Sequence, residues 1–212
     1  MAEYLSHPVG DTQNGALVQV SRLPEVPAFR GFPVYADYLW NLAEKGKIFV
    51  ASDADQNDVV TGQTSFADTT PTFLLDIPAK TAVLPLYLNL SQAGTVAGDV
   101  VSFVVEIDNK TRWASGGTAE KVFNTQANAN PNRKSTFYSN PTTSAGYGIR
   151  IDGKSVGQDV SPAEGAVPPI GWRPEIPYLL TGPASILFFT YAGTTGPSWY
   201  WSFAWAELGA GD

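Results

Sequence analysis

Two segments of this chain alternate apolar and polar side chains strictly enough to fix their local structure. In Val83 to Gln92, Leu84, Leu86, Leu88 and Leu90 take one parity, while Pro85, Tyr87, Asn89 and Ser91 take the other. In Ser198 to Leu208, Trp199, Trp201, Phe203 and Trp205 share one parity, and Tyr200, Ser202, Ala204 and Ala206 share the other. Successive side chains of a strand point to opposite faces, so each segment predicts a strand with one covered face. Pro85 has no N–H to give to a ladder, which places it at a sheet edge or in a bulge.

The same reading extends along the chain. Asp99 to Asp108 aligns Val101, Phe103, Val105 and Ile107, and Asp108-Asn109-Lys110 then supplies a turn, so two consecutive antiparallel strands are expected. Shorter strands are expected at Lys47 to Ala51, Thr72 to Ile77, Lys121 to Asn124, Ser135 to Ser139, Tyr147 to Asp152, Ile176 to Leu180 and Ser185 to Tyr191. Asp152-Gly153 is a dipeptide that a hairpin turn favours. The one helical signal is Asp37 to Lys45, with Asp37 as N-cap and Gly46 positioned to end it. Ala114 to Asn132, rich in Gly, Thr, Asn and Ala, reads as a long surface loop, and Gly157 to Pro174 as a proline-rich stretch.

With 20 glycines and 16 prolines spread over 212 residues, turns are frequent and strands short. Many short strands with almost no helix predict an all-β fold: two packed antiparallel sheets in a jelly-roll-like β-sandwich. Residues 1–33 carry Pro8, Gly10, Gly15, Pro24, Pro27, Gly31 and Pro33, with only Ala16 to Ser21 reading as a strand. They are expected to form an extended N-terminal arm, and residues 34–212 a single β-sandwich domain.

Composition narrows the chemistry. Thirteen basic against 20 acidic residues give a net charge of −7, and no Lys/Arg cluster could neutralise a run of phosphates, so nucleic acid is not an expected partner. There is no cysteine, which removes disulfides, thiolate metal sites and cysteine nucleophiles. His7, the only histidine, falls in the arm, so histidine triads and His-rich zinc sites are excluded by counting. No window approaches the roughly 18 apolar residues of a membrane span, and the first residues lack a basic-then-apolar leader pattern, so the expectation is a soluble protein assembled inside a cell.

Asp53, Asp55 and Asp58 begin like a calcium loop, but Asp58 stands where the EF-hand glycine would be and Thr64 where its closing glutamate would be, which favours a solvated acidic loop. Glu106, Asp108, Asp152, Glu175 and Glu207 lie in or beside strands and could in principle supply the carboxylate pair of a glycosidase; any acidic chain of this length offers such pairs. No phosphate-binding glycine loop or nucleophile elbow is present, so the expectation is no catalytic residue, no cofactor and no metal. Asn89-Leu-Ser91 and Asn109-Lys-Thr111 match the glycosylation pattern; with no leader pattern in the first residues, the expectation is that neither is used.

The tryptophans leave two readings open. Trp199, Trp201 and Trp205 with Phe203 could form a platform for stacking on sugar rings, or a core or interface face; burying each ring contributes about 2–3 kcal/mol, which favours the second. Trp113 and Trp172 sit in polar surroundings and are the candidates for exposed stacking or a subunit contact.

Three stretches, TTPTFLLDIP (Thr69 to Pro78), GTVAGDVVSFVVEIDNKTRWASGGTA (Gly94 to Ala119) and PSWYWSFAWAEL (Pro197 to Leu208), resemble virion proteins of bacteriophages, namely β-sandwich head-decoration (cement) proteins and single jelly-roll capsid proteins. The resemblance covers about residues 60 to 210 in texture and matches no ligand motif position by position. It implies a non-enzymatic structural protein, commonly a homotrimer, placed on the capsid surface of a virion after assembly in a host cytoplasm. Its partners would be a major capsid protein or neighbouring subunits, with a terminal arm reaching them. The short chain ranks the accessory decoration role above the shell itself. Hydrophobic residues at 43% against charged residues at 16% agree with a surface partly covered by partners. A carbohydrate-binding module is the alternative.

Overall fold

The computed structural model describes residues 38–53, 59–93, 100–126, 132–146, 148–156, 168–193 and 195–209. The arm of residues 1–33, with His7, therefore lies outside the described residues, as do Asp37, Asp55 and Asp58. One helix, α1 (Tyr38–Glu44), precedes the strands β1 (Ile48–Ser52), β2 (Val60–Thr61), β3 (Phe73–Ile77), β4 (Thr81–Gln92) and β5 (Val101–Asp108). Short strands follow: β6 (Trp113–Ser115), β7 (Thr118–Ala119), β8 (Val122–Asn124), β9 (Thr136–Ser139) and β10 (Thr142–Thr143). The chain then forms β11 (Ile149–Val156), β12 (Ile170–Trp172), β13 (Leu180–Thr181), β14 (Ala184–Tyr191) and β15 (Ser198–Gly209).

Two large antiparallel sheets face each other. The front sheet runs β12-β4-β15-β1-β8, with β13 also on β4 and β2 also on β15; the back sheet runs β11-β5-β14-β3-β9-β7. The principal pairs are β1 with β15, β3 with β14, β4 with β12 and β5 with β11. These partners nest in chain order, first with last and innermost with innermost, as if one long hairpin had been rolled up. That wiring is a jelly roll, in which every principal connection except β5 to β11 crosses between sheets. The expected adjacency of the two long alternating strands is corrected by it: β4 and β5 lie in different sheets.

The interior is filled from both inner faces. Phe49 and Ala51 of β1, Leu88 and Leu90 of β4 and the β15 aromatics meet Phe73, Leu75, Phe103, Phe137 and Phe188 of the back sheet. Trp201 packs on Phe73 at 5.1 Å and on Phe137 at 5.2 Å, and Phe203 on Phe137 at 4.9 Å and Phe188 at 5.2 Å, distances at which aromatic pairs add to simple burial.

β4 departs from its sequence pattern for a physical reason. Tyr87 pairs with Ala204 and Pro85 with Trp205, leaving Leu86 as an extra residue, a β-bulge beside the proline. The bulge reverses side-chain parity. Leu88 and Leu90 point into the sandwich, whereas Leu84 and Leu86 pack on the outer face with Leu42, Ile48, Ala206 and Leu208 beneath α1. The four leucines thus serve two cores. Pro85 is tolerated away from an edge because β12 ends opposite Leu88 and β13 begins opposite Val83, so no strand there asks for its N–H.

α1 ends as the sequence predicts. Gly46 adopts φ 62°, with Gly46 N–H donating to Ala43 O (2.9 Å) and Lys47 N–H to Leu42 O (2.8 Å), the paired bonds of a Schellman cap. Asp152-Gly153 does not turn the chain: β11 runs through it, with a register shift between Arg150 and Asp152 against β5. Pairing along the whole of β5 outweighs the local turn preference of the dipeptide.

Candidate functional site

Trp199, Trp201, Phe203 and Trp205 are all buried on the inner face of β15. The indole N–H groups of Trp199 and Trp205 are hydrogen-bonded inside the sandwich. Trp199 Nε1 donates to Thr190 Oγ1 (2.9 Å), which shares a 2.9 Å bond with Thr72 Oγ1. Trp205 Nε1 reaches Ser135 Oγ (3.0 Å) and Glu207 Oε1 (3.1 Å). Satisfied indole N–H groups are what allow rings of this size to be fully enclosed.

Trp172 corrects its expected place on the surface. It is only 1% exposed, because Ile170–Trp172 leaves the proline-rich stretch to pair with β4, and the ring meets Phe188 edge-on at 5.3 Å. A polar sequence neighbourhood gave no sign of this long-range pairing. Trp113 is 40% exposed, stacks on Tyr138 at 5.4 Å and 15°, and donates to Gly116 O (3.2 Å).

The carboxylates considered for sugar hydrolysis are distributed over both sheets. Glu106 and Asp108 lie on the outer side of β5: Glu106 is buried with Arg150 3.6 Å away, and Asp108 is 3.0 Å from Arg112. Asp152 accepts from Gly153 N–H on β11, Glu175 is exposed between β12 and β13, and Glu207 belongs to the front sheet. Among the described residues no cluster of three His, Asp or Glu side chains is arranged to hold a metal ion. Asp53, the described part of the acidic loop, donates its N–H to Trp201 O (3.1 Å) as a continuation of the ladder.

One organising residue escaped the sequence reading. Arg112 is buried and donates to Asp108 (3.0 Å), Ser144 O (2.9 Å) and Asp68 O (3.2 Å), while its N–H reaches Ser185 Oγ (3.0 Å). It ties the turn after β5 to two loops and to β14. The spacing Asp108 to Arg112 was the available signal. Nearby, Asp76 faces Ser185 across β3 and β14; burial pushes its carboxyl above the ordinary value of 3.8, partly offset by hydrogen bonds from Ser185 and Thr111.

Among the described residues, the outer face of the front sheet carries a cross-strand apolar row. Phe123, Val50, Ala204 and Tyr87 stand side by side across β8, β1, β15 and β4. Phe123 is 58% exposed, Val50 and Tyr87 are half-buried, and Ala204 between them is itself buried, 2% exposed. The row adjoins the cluster under α1, whose own Tyr38, Leu39 and Trp40 face outward, Trp40 at 63% exposure. Arg173 lies over Tyr87 at 5.8 Å, a charged border to the patch. Sequence alternation had marked Tyr87 and Ala204 as the polar side of their strands; the apolar row appears only once four strands are in register.

Fold and surface together define a jelly-roll protein with an aromatic interior and an apolar strip on one outer face. No protein-family model, curated protein or solved structure matches the chain.

Proposed function

We propose that this protein is a non-enzymatic structural subunit that assembles through the outer face of its front sheet, in the manner of a decoration protein or jelly-roll subunit of a virus particle. The observation that carries the reading is the cross-strand row Phe123, Val50, Ala204 and Tyr87 beside the exposed aromatics of α1. Apolar strips with polar borders mark protein contacts. Jelly rolls serve capsids and lectins alike, so the fold by itself selects neither. The virion setting rests on the resemblance of the three quoted segments.

The test is the mass of the full chain in solution by light scattering, compared with Phe123→Ser plus Trp40→Ser and with a form lacking residues 1–33. A homo-oligomer that dissociates in the double variant supports the proposal. A monomer at every concentration, or an oligomer indifferent to both changes, sinks it. Electron microscopy of source particles then tests the virion setting separately.

Trp113 favours a second reading. A half-exposed indole braced by Tyr138 is a rigid aromatic surface of the kind that stacks on sugars. Glycan-array binding lost in Trp113→Ala would establish it; an array without signal would remove it.

A further inference from the structure

We infer that the open end of the sandwich near Glu207 is a binding site for a tetrahedral oxyanion, a phosphate or sulfate group carried on a small polar molecule. A cavity of about 420 Å³ lies there, between the end of α1, the starts of β1 and β4, and the end of β15. Pockets for small molecules begin at about 300 Å³, so the space exceeds what a bare ion needs.

Its charge is opposite to that of the protein. Among the described residues, Lys45, Lys47 and Lys134 line it with one carboxylate, Glu207, in a chain of net −7. Among the described residues the ammonium groups of Lys45 and Lys134 form no ion pair. Glu207 is already committed: it accepts from Lys134 N–H (2.8 Å), Ser135 N–H (3.1 Å), Ser135 Oγ–H and Trp205 Nε1–H (3.1 Å).

The rim is built rather than incidental. Glu207 fixes the main chain of Lys134 through its carboxylate and that of Lys47 through its own N–H, which donates to Lys47 O at 2.8 Å. The Schellman cap sets the path from Lys45 to Lys47, and Asn124 Nδ2 braces Gly46 O at 2.6 Å.

A second, independent observation points to a ligand. Thr81 lines the same cavity, is 1% exposed, and among the described residues its hydroxyl has no hydrogen-bond partner. A buried hydroxyl left unpaired is costly, and an oxyanion oxygen would accept its proton. Lysines focus the field, and the hydroxyl supplies the short-range contact.

The test is calorimetric titration of the full chain with inorganic phosphate and, in a second arm, with glycerol 3-phosphate. Saturable binding that weakens as sodium chloride rises is expected, tighter for the ester if the remaining volume is used. Lys45→Gln with Lys134→Gln should weaken it about tenfold or more. Thr81→Val should weaken binding while leaving thermal stability unchanged or higher, since it deletes an unpaired group. Absence of saturable binding by either probe, or unaltered affinity in both variants with melting shown to be native-like, would overturn the inference. The assay needs no oligomer, so its outcome is independent of the assembly reading.

Discussion

The two ends of β15 obey the same alternation and finish in opposite ways. At the Trp199 end the layers are shut. Gly62 N–H donates to Pro197 O (2.7 Å) and Gln63 N–H to Thr190 O (2.9 Å). Backbone lies so close there that a Cβ on Gly196 would stand 2.0 Å from Gly62 O, and one on Gly62 2.4 Å from Thr190 O. At the Glu207 end the same two layers part around a lysine-lined cavity, bridged by one carboxylate. Alternating aromatics decide which side chains face inward; they do not decide whether the sandwich closes. Close backbone at glycine shuts one end, whereas among the described residues the other end keeps a cavity lined by lysines and Glu207.

The comparison can be broken by substitution, and the largest effect belongs to the shut end. Trp199→Ala should cost about 3–5 kcal/mol in urea unfolding, through the cavity it creates and the loss of its Thr190 bond. Gly196→Ala should cost about 1–3 kcal/mol, because the added methyl meets main chain that cannot swing aside. Glu207→Gln should cost only about 1 kcal/mol, since the amide keeps an acceptor for part of the Lys134, Ser135 and Trp205 donors, and the open end leaves room to adjust. A Glu207→Gln loss equal to that of Trp199→Ala would mean that both ends are equally closed, and the contrast would fall.

How much of this was legible depends on the range of the interaction responsible. The inward side of β15 could be read because Trp199, Trp201, Phe203 and Trp205 repeat within one strand, and the end of α1 because Gly46 is a local signal. The parity reversal in β4 was hidden, although Pro85 announced a bulge or an edge; where the extra residue falls is settled by pairing with Ala204 and Trp205. Trp172 was misplaced because its partner Leu88 is distant in sequence. The candidate surfaces were the least legible. Phe123, Val50, Ala204 and Tyr87 come from four strands, and Lys45, Lys47, Lys134 and Thr81 from three separated segments, so neither set has a spacing to detect.

The nested pairing also sets an order of events in time. Ile48 finds its partner in Ala206, and Phe73 in Phe188, so the earliest strands of the roll wait for the latest before either can be sheltered. A growing chain on the ribosome therefore cannot seal its interior piece by piece: Phe49, Phe73 and Leu75 emerge long before the indoles that will cover them. Closure demands loops that span most of the sequence, which slows folding and leaves sticky strands on view meanwhile. The step expected to limit refolding is therefore the arrival of β15 between β1 and β4.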